Sequence, residues 1–323
     1  MGYLKPVGTQ PYMQQGQLMD EDANFVRQVL RLETPASELS PIVITDALLH
    51  EIMAGKTLDD LHQKLDDALA KAQEGKDVVL LEGGTSMRDG YSVGLNPVDL
   101  VRRIHVKTLS VTRWRSTRNV LDDTLAARAR IGDDLQGVVI NAVPEDAMDL
   151  ARSQLVPFLE RRGIPVYGLL PYQQALTAVT IGEIVEQLDA TYLTGENLSS
   201  RLVENLTVGA MTVESALPRF RRQVNKAVVT GGDRADIQAA ALETSTTVLV
   251  LTGNLHPSPA IIKMAEENGV AVLLVRHNTI ETVEAIESIF GRTRLGQAEK
   301  LNRFQAMIAE NFDYARLASD LGL

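Results

Sequence analysis

Three residues in the first half of the chain are suited by type and placement to hold a nucleotide: Lys5, Glu82 and Asn141, each directly after an apolar run. In open parallel sheets ligands bind beyond the carboxyl ends of the strands, so the residues just past each run decide the chemistry. A lysine there balances phosphate charge. A carboxylate there holds Mg²⁺, which takes oxygen ligands and keeps several waters. Gly83 and Gly84 come directly after Glu82 and let a backbone approach a ligand closely. The second half offers another set of run ends: Thr230-Gly231-Gly232-Asp233-Arg234, Thr252-Gly253-Asn254 with His256, and Arg276-His277-Asn278-Thr279. Converging at one edge, they would line a shallow polar pocket for a small anionic metabolite or nucleotide, with Arg234, His256 or Arg276 as counter-charges. Turn and cap chemistry is the competing account: glycines for the turns, Asp233 or Asp236 and Thr279 as helix caps.

Apolar runs ending in glycine, asparagine or proline alternate with helix-period stretches, the pattern of parallel strands joined by crossover helices. Strands are predicted at Val78–Leu81, Val106–Val111, Gly137–Ile140 and Val166–Leu170, then at Ala227–Thr230, Val248–Thr252 and Val270–Val275. Leu58, Leu61, Leu65, Leu69 and Ala72 recur at helical spacing, with Asp59 and Asp60 at the start and Lys71 near the end, which suits the helix dipole. Further helices are predicted over Val120–Ile131, Asp146–Arg162, Ala235–Glu243, Pro259–Asn268, Thr279–Phe290 and Gln297–Leu317. A less regular stretch separates the halves, and small polar residues at Thr194–Ser200 place the boundary there, giving domains 1–197 and 198–323. In the last helix Leu301, Phe304, Ile308 and Phe312 form an apolar stripe that docks on the chain's own sheet or on a second subunit.

The chain has 323 residues, a formal charge of −10, 45% hydrophobic and 4% aromatic residues and no cysteine. Disulfides, thiolate metal sites and cysteine nucleophiles are excluded. The acidic balance argues against a general nucleic-acid binder. Arg113, Arg115 and Arg118 form the nearest thing to a basic patch, a solvated loop or the contact of one small anion. No apolar run is long enough to cross a bilayer and no signal-like segment opens the chain, so a cytoplasmic protein without membrane partners is expected. There is no Gly-x-Ser-x-Gly elbow and no His-Glu-x-x-His helix.

Lys5-Pro6-Val7, Glu82-Gly83-Gly84 and Gly137-Val138-Val139-Ile140-Asn141 resemble three successive motifs of dethiobiotin-synthetase-like P-loop ATPases, as found in the front part of some phosphotransacetylases. The resemblance implies that Lys5 contacts the phosphates of ATP, Glu82 binds Mg²⁺ and Asn141 faces the adenine. Asp20-Glu21-Asp22 is similar to the family's second metal carboxylate, with Asp22 the choice within it. The same acidic run also reads as the first turn of an amphipathic helix carrying Phe25, Val26, Val29 and Leu30. From about Leu202 to Tyr314 the chain resembles a DRTGG domain, the small α/β domain that comes after the ATPase-like part, and the likeness suggests dimerisation there. The five-residue run that names the domain is absent. Only Gly231-Gly232-Asp233-Arg234 stands in its place.

A phosphate-cradling Gly-x-x-x-x-Gly-Lys-Ser/Thr is not found. Gly55-Lys56-Thr57 would need glycine at position 50, which is His50, and it comes after a helical pattern instead of a strand. The expected fold is therefore an α/β parallel-sheet domain of P-loop-NTPase type lacking its first strand and P-loop, followed by a smaller α/β DRTGG domain. The chain is expected to be N-terminally truncated, with ATP and Mg²⁺ bound weakly or not at all. A non-catalytic regulatory or sensor role without acetyl transfer is the leading expectation. The alternative is an ATP-dependent carboxylate-activating ligase of the dethiobiotin synthetase type, given a restored P-loop.

Overall fold

Strands before residue 82 are two to four residues long, and those between 108 and 171 are six to nine. The computed structural model describes residues 1–14, 16–290 and 298–323, the side chains of 298 and 299 excepted. Residues Met1–Tyr172 and Gln305–Leu323 form one compact unit, and Gln173–Phe304 form the other.

In the first unit, β1 (Gly2–Leu4), β2 (Val7–Gly8), a hairpin of β3 (Pro11–Gln14) and β4 (Gln17–Asp20), β5 (Ile42–Val43) and β6 (Val79–Leu81) are followed by β7 (Thr108–Arg113), β8 (Leu135–Val143) and β9 (Val166–Pro171). β1 pairs in parallel with β6, β2 with β5, and β7–β8–β9 form a separate parallel sheet. Helix Asp59–Gln73 lies on β1 with Leu61, Leu65 and Leu69 buried, in one core with Leu4, Val7 and Ile42. Gly2 is required there, because a Cβ would lie 2.5 Å from the Ala72 carbonyl oxygen. Helix Asp46–Met53 precedes Gly55, so no strand leads into Gly55-Lys56-Thr57.

The second unit is built on one five-stranded sheet. Its strands are β10 (Val179–Thr180), β11 (Thr191–Thr194), β12 (Leu202–Val203), β13 (Asn205–Val208), β14 (Lys226–Gly231), β15 (Thr246–Thr252) and β16 (Ala271–Leu274). The sheet order is β11-β16-β15-β14-β13, parallel except for β11, while β10 and β12 pair separately. All seven residues of β15 are buried, as a strand covered on both faces by helices must be.

Three expectations are revised. The boundary near 194–200 falls inside the second unit, because helix Ile181–Leu188 and the antiparallel strand β11 pack onto that unit's sheet. The stretch expected to be irregular thus carries an edge strand and a capping-box helix, with Thr180 and Glu183 as the box. The single closing helix is two, Ala298–Asn311 and Tyr314–Leu321; position 297 lies outside the described residues. Phe312 leaves the helix to bridge Gly168 on β9, and the Asp313 amide donates to the Tyr167 carbonyl at 2.7 Å. Arg316 then pairs with both oxygens of Glu160 at 2.8 and 2.9 Å. The apolar stripe therefore ends on the chain's own β7–β8–β9 sheet.

Candidate functional site

The register of β1 on β6 sets Leu4 opposite Leu81, so the next residues, Lys5 and Glu82, leave the sheet side by side at its carboxyl end. The Glu82 amide donates to the Leu4 carbonyl at 2.9 Å, which locks that step. The Lys5 side chain is 1% exposed, and its Nζ lies 2.9 Å from Asp20 Oδ1, 2.5 Å from Asp22 Oδ2 and 3.9 Å from Glu82 Oε1. Asp20 is wholly buried and caps helix Glu21–Leu30, accepting from the Ala23 amide at 3.1 Å and from the Gln10 amide at 3.0 Å. Gly8 makes room for it, since a Cβ there would lie 2.6 Å from Asp20 Oδ2. The acidic run thus serves as the helix's N-terminal turn and as the lysine's counter-charge together. Tyr3 donates its hydroxyl to Glu82 Oε2 at 2.5 Å, and Gln10 Nε2 donates to Asp22 Oδ2 at 3.3 Å.

Burial sets the electrostatics. Desolvation acts to lower the Lys5 pKa, yet the hydrogen bonds it donates to Asp22 and Asp20 and their charges outweigh it and hold the ammonium above its ordinary value. Desolvation raises Glu82 against the opposing pull of Tyr3 and Lys5, and it raises Tyr3, helped by the Glu82 charge. One ammonium faces three carboxylates, so the cluster keeps an excess of negative charge. Asp22 and Glu82 are about one-third exposed and present carboxylate oxygens, the donor type Mg²⁺ takes. Among the described residues, however, no group of three or more His, Cys, Asp or Glu is disposed to hold a metal ion. Lys5 takes that place, so a cation on Asp22 and Glu82 has to share them with the ammonium.

Gly83 faces open space, whereas Gly84 is needed by its own loop: a Cβ would meet Asp89, whose Oδ2 accepts from Thr85 Oγ1 and the Ser86 amide at 3.0 Å each. Asn141 stands on β8, in the other sheet, and no hydrogen bond among the described residues joins its side chain to the Lys5 cluster. Its carbonyl accepts from the Trp114 amide at 2.7 Å, and Ala142 after it takes φ 59°, which breaks the pairing with β9.

In the second unit the loops after β14, β15 and β16 do meet. The Gly253 amide donates to the His277 carbonyl at 3.0 Å and the Asn254 amide to the Val275 carbonyl at 2.9 Å. The Thr252 hydroxyl contacts the Thr230 carbonyl at 3.4 Å and the Thr279 hydroxyl at 3.1 Å. Gly232 lies so close to Leu255 that a Cβ would fall 1.7 Å from its carbonyl oxygen. Gly232→Ala is expected to destabilise the second unit by about 3 kcal/mol, the scale of overpacking a filled site. Urea denaturation checks this, and an unchanged midpoint would mean that the two loops separate freely.

Several assigned roles change. Arg234 is tied within its own loop, to Asp236 twice at 3.0 Å and to the Met211 carbonyl at 2.9 Å, which holds Asp236 below the usual carboxylate range. Neither Asp233 nor Asp236 is the N-cap of helix Ala235–Leu242; Arg234 occupies that position without a side-chain cap. Asn278, with Glu281, caps helix Thr279–Ile289 in place of Thr279. Asp233, Asn254, His256 and Arg276 are exposed, and His256 and Arg276 make no ion pair among the described residues. Tyr3, Gln10 and Gln238 contribute groups that no motif marked. Tyr3 was readable only as an apolar strand residue, and Gln238 as one polar position on a helix.

The first unit is an α/β fold with a lysine and a carboxylate at adjacent parallel strand ends, and a second α/β unit makes this a two-part protein. Residues 1–180 match the model of the AAA domain family of dethiobiotin-synthetase-like type, and residues 183–289 match the DRTGG domain. The chain belongs to that AAA domain family and carries a DRTGG domain. It is 23% identical to phosphate acetyltransferase of Nitrosomonas europaea, over 99% of this chain and 47% of that protein. It is 24% identical to phosphate acetyltransferase of Pseudomonas aeruginosa, over 100% and 48%. Against the cobalt-dependent inorganic pyrophosphatase of Clostridium perfringens it is 30% identical over 32% of this chain and 19% of that one. The chain spans about half the length of the curated phosphate acetyltransferases it matches and is homologous to their N-terminal regions. A crystal structure of the CBS and DRTGG domains of the regulatory region of Clostridium perfringens pyrophosphatase, complexed with the activator diadenosine tetraphosphate, matches with a TM-score of 0.32 and 23% identity, covering 49% of this chain and 77% of that one.

Proposed function

We propose that this chain is a non-catalytic regulatory module that responds to a nucleotide or small anionic metabolite. The observation that carries the reading is the meeting of Lys5, Asp22 and Glu82 around one ammonium at the carboxyl end of paired parallel strands. In this reading Lys5 turns toward phosphate when a nucleotide arrives, and Asp22 and Glu82 hold Mg²⁺ between themselves, waters and phosphate oxygens. The metal would neutralise phosphate charge. Leu80 on β6 and Val111 on β7 are 53% and 65% exposed, apolar faces that a further strand and helix bearing an anion-cradling loop would cover. The second-unit loops, where His256 and Arg276 have no carboxylate partner among the described residues, supply a second place for an anion.

The test is the melting temperature of the full chain with ATP or AMP, with and without Mg²⁺, in the parent, Asp22→Asn and Glu82→Gln. A nucleotide-dependent rise whose Mg²⁺ component disappears in both variants is expected, as ligand binding to the folded state requires. No shift with any nucleotide would sink the reading. Formation of acetyl-CoA from acetyl phosphate and coenzyme A would sink its non-catalytic part. The ligase alternative rests on the same three residues and predicts ATP hydrolysis only when a carboxylic acid is supplied.

A further inference from the structure

Gln238 is wholly buried, four residues into helix Ala235–Leu242. Side chains in helices lean back toward the N-terminus, and this one reaches the end of β14, where Nε2 donates to the Gly231 carbonyl at 2.9 Å. Its Oε1 is buried and has no donor among the described residues. The buried threonine hydroxyls along the same edge are satisfied: Thr230 donates to the Gly209 carbonyl at 3.0 Å, and Thr252 is held by Thr230 and Thr279. A buried acceptor left without a donor costs about 1–3 kcal/mol, so this oxygen calls for a partner. At the same carboxyl edge, where Gly232 packs on Leu255 and the Gly253 amide meets the His277 carbonyl, helix Pro259–Glu267 has no side-chain cap, and His256 and Arg276 are exposed, without carboxylate partners among the described residues. Helix N-termini and free cations favour an anion. Asp233, also exposed here, is an acid that opposes this balance, while Asp236 is neutralised by Arg234.

We propose that Gln238 reads an N–H donor on an anionic ligand bound at the carboxyl edge of β14 and β15, the simplest such ligand being an adenine nucleotide whose 6-amino group meets Oε1. This deepens the reading of the second-unit loops as an anion site and rests on it. An oxygen at position 6 would face Oε1 as a second acceptor, and a flipped amide would surrender the Gly231 bond. Gln238 is thus a specificity-determining residue, and the phosphate is left to the helix turn, His256 and Arg276.

The experiment is calorimetric titration of the full chain with AMP, IMP and purine riboside 5′-monophosphate, which share one phosphate and differ at position 6. AMP is expected to bind about tenfold or more tightly than either analogue, the effect of one unpaired buried acceptor. Gln238→Met should bring the three affinities to within about twofold, weakening AMP and relieving the acceptor–acceptor opposition to IMP, since it removes the acceptor that distinguishes them. Equal affinities in the parent overturn the inference and leave the anion-site reading standing, with Oε1 then satisfied by a water. A preference for AMP that persists in Gln238→Met overturns it equally. Absence of binding by all three overturns both. The ligand series on the parent decides the matter even where the variant folds poorly.

Discussion

Replacing Lys5 with alanine is expected to destabilise the first unit by about 3–5 kcal/mol, the scale of breaking a buried ion pair from one side. Asp20 is the reason. It is wholly buried, 2.9 Å from Lys5 Nζ, and it stays behind as a charge whose remaining donors among the described residues are the Gln10 and Ala23 amides. Asp22 and Glu82 contribute less because water reaches them. Lys5→Met combined with Asp20→Asn should recover part of the loss, since no charge is left buried and the amide oxygen still accepts from one of the two backbone donors, while the NH2 that replaces the other oxygen cannot accept. Chemical denaturation of the parent, the single and the double variant checks this. A single-variant loss below about 1 kcal/mol would place the pair in the range of exposed ion pairs and contradict the buried geometry.

The second large effect comes from Lys226, at the amino end of β14 and at the opposite end of that strand from the loops with a proposed role. It is wholly buried, and its Nζ donates to the Gln223 carbonyl at 3.2 Å, the Thr244 hydroxyl at 2.9 Å and the Ser245 carbonyl at 2.9 Å. The Phe220 ring lies 5.9 Å away, and no carboxylate among the described residues pairs with it. Burial accordingly pulls its pKa down from 10.5 to about 8. Between those values the unfolded chain binds more protons than the folded one, so stability rises with pH from about 8 to 10.5. The full penalty is present below pH 8 and amounts to about 3 kcal/mol for a depression of this size. Lys226→Met should be at least as stable as the parent at pH 7. Relative to that variant, the parent's melting temperature should rise on the order of 10 °C between pH 7.5 and 10.5. Parallel pH profiles would mean that Lys226 is hydrated or paired. Lys5, although equally buried, behaves in the opposite sense because its carboxylates hold the proton on.

Much of the scaffold was legible because parallel strands and their helices announce themselves as continuous apolar runs and three- and four-residue periods. β6, β9, β14 and β15 and the helices Asp59–Gln73 and Ala235–Leu242 fall where those patterns put them, within a residue or two. Less was legible where the chain is mixed in polarity. β11 and helix Ile181–Leu188 carry few residues each and were hidden by their brevity. The break at Phe312 is invisible in a helical pattern that continues through it, since the bridge to Gly168 is made by residues more than 140 positions apart. Lys226 reads in the sequence as an ordinary residue at a strand start, because nothing local reports that the groups around its ammonium are neutral.

What the sequence alone determined was the residue types at strand ends and the order of the two domains. Lys5 and Glu82 come after apolar runs, and any parallel pairing of those runs brings a lysine and a carboxylate to the same edge. Only the tertiary structure decided what those residues do to each other. The register of β1 on β6 sets the separation of Lys5 and Glu82, Gly8 admits Asp20 beneath them, and helix Glu21–Leu30 delivers Asp22 from the other side. In the same way it left Asn141 in a separate sheet, tied Arg234 to Asp236 and left one oxygen of Gln238 without a partner among the described residues. Charge balance and burial depend on distances of a few ångströms between residues far apart in the chain, and those distances exist only once the strands have packed.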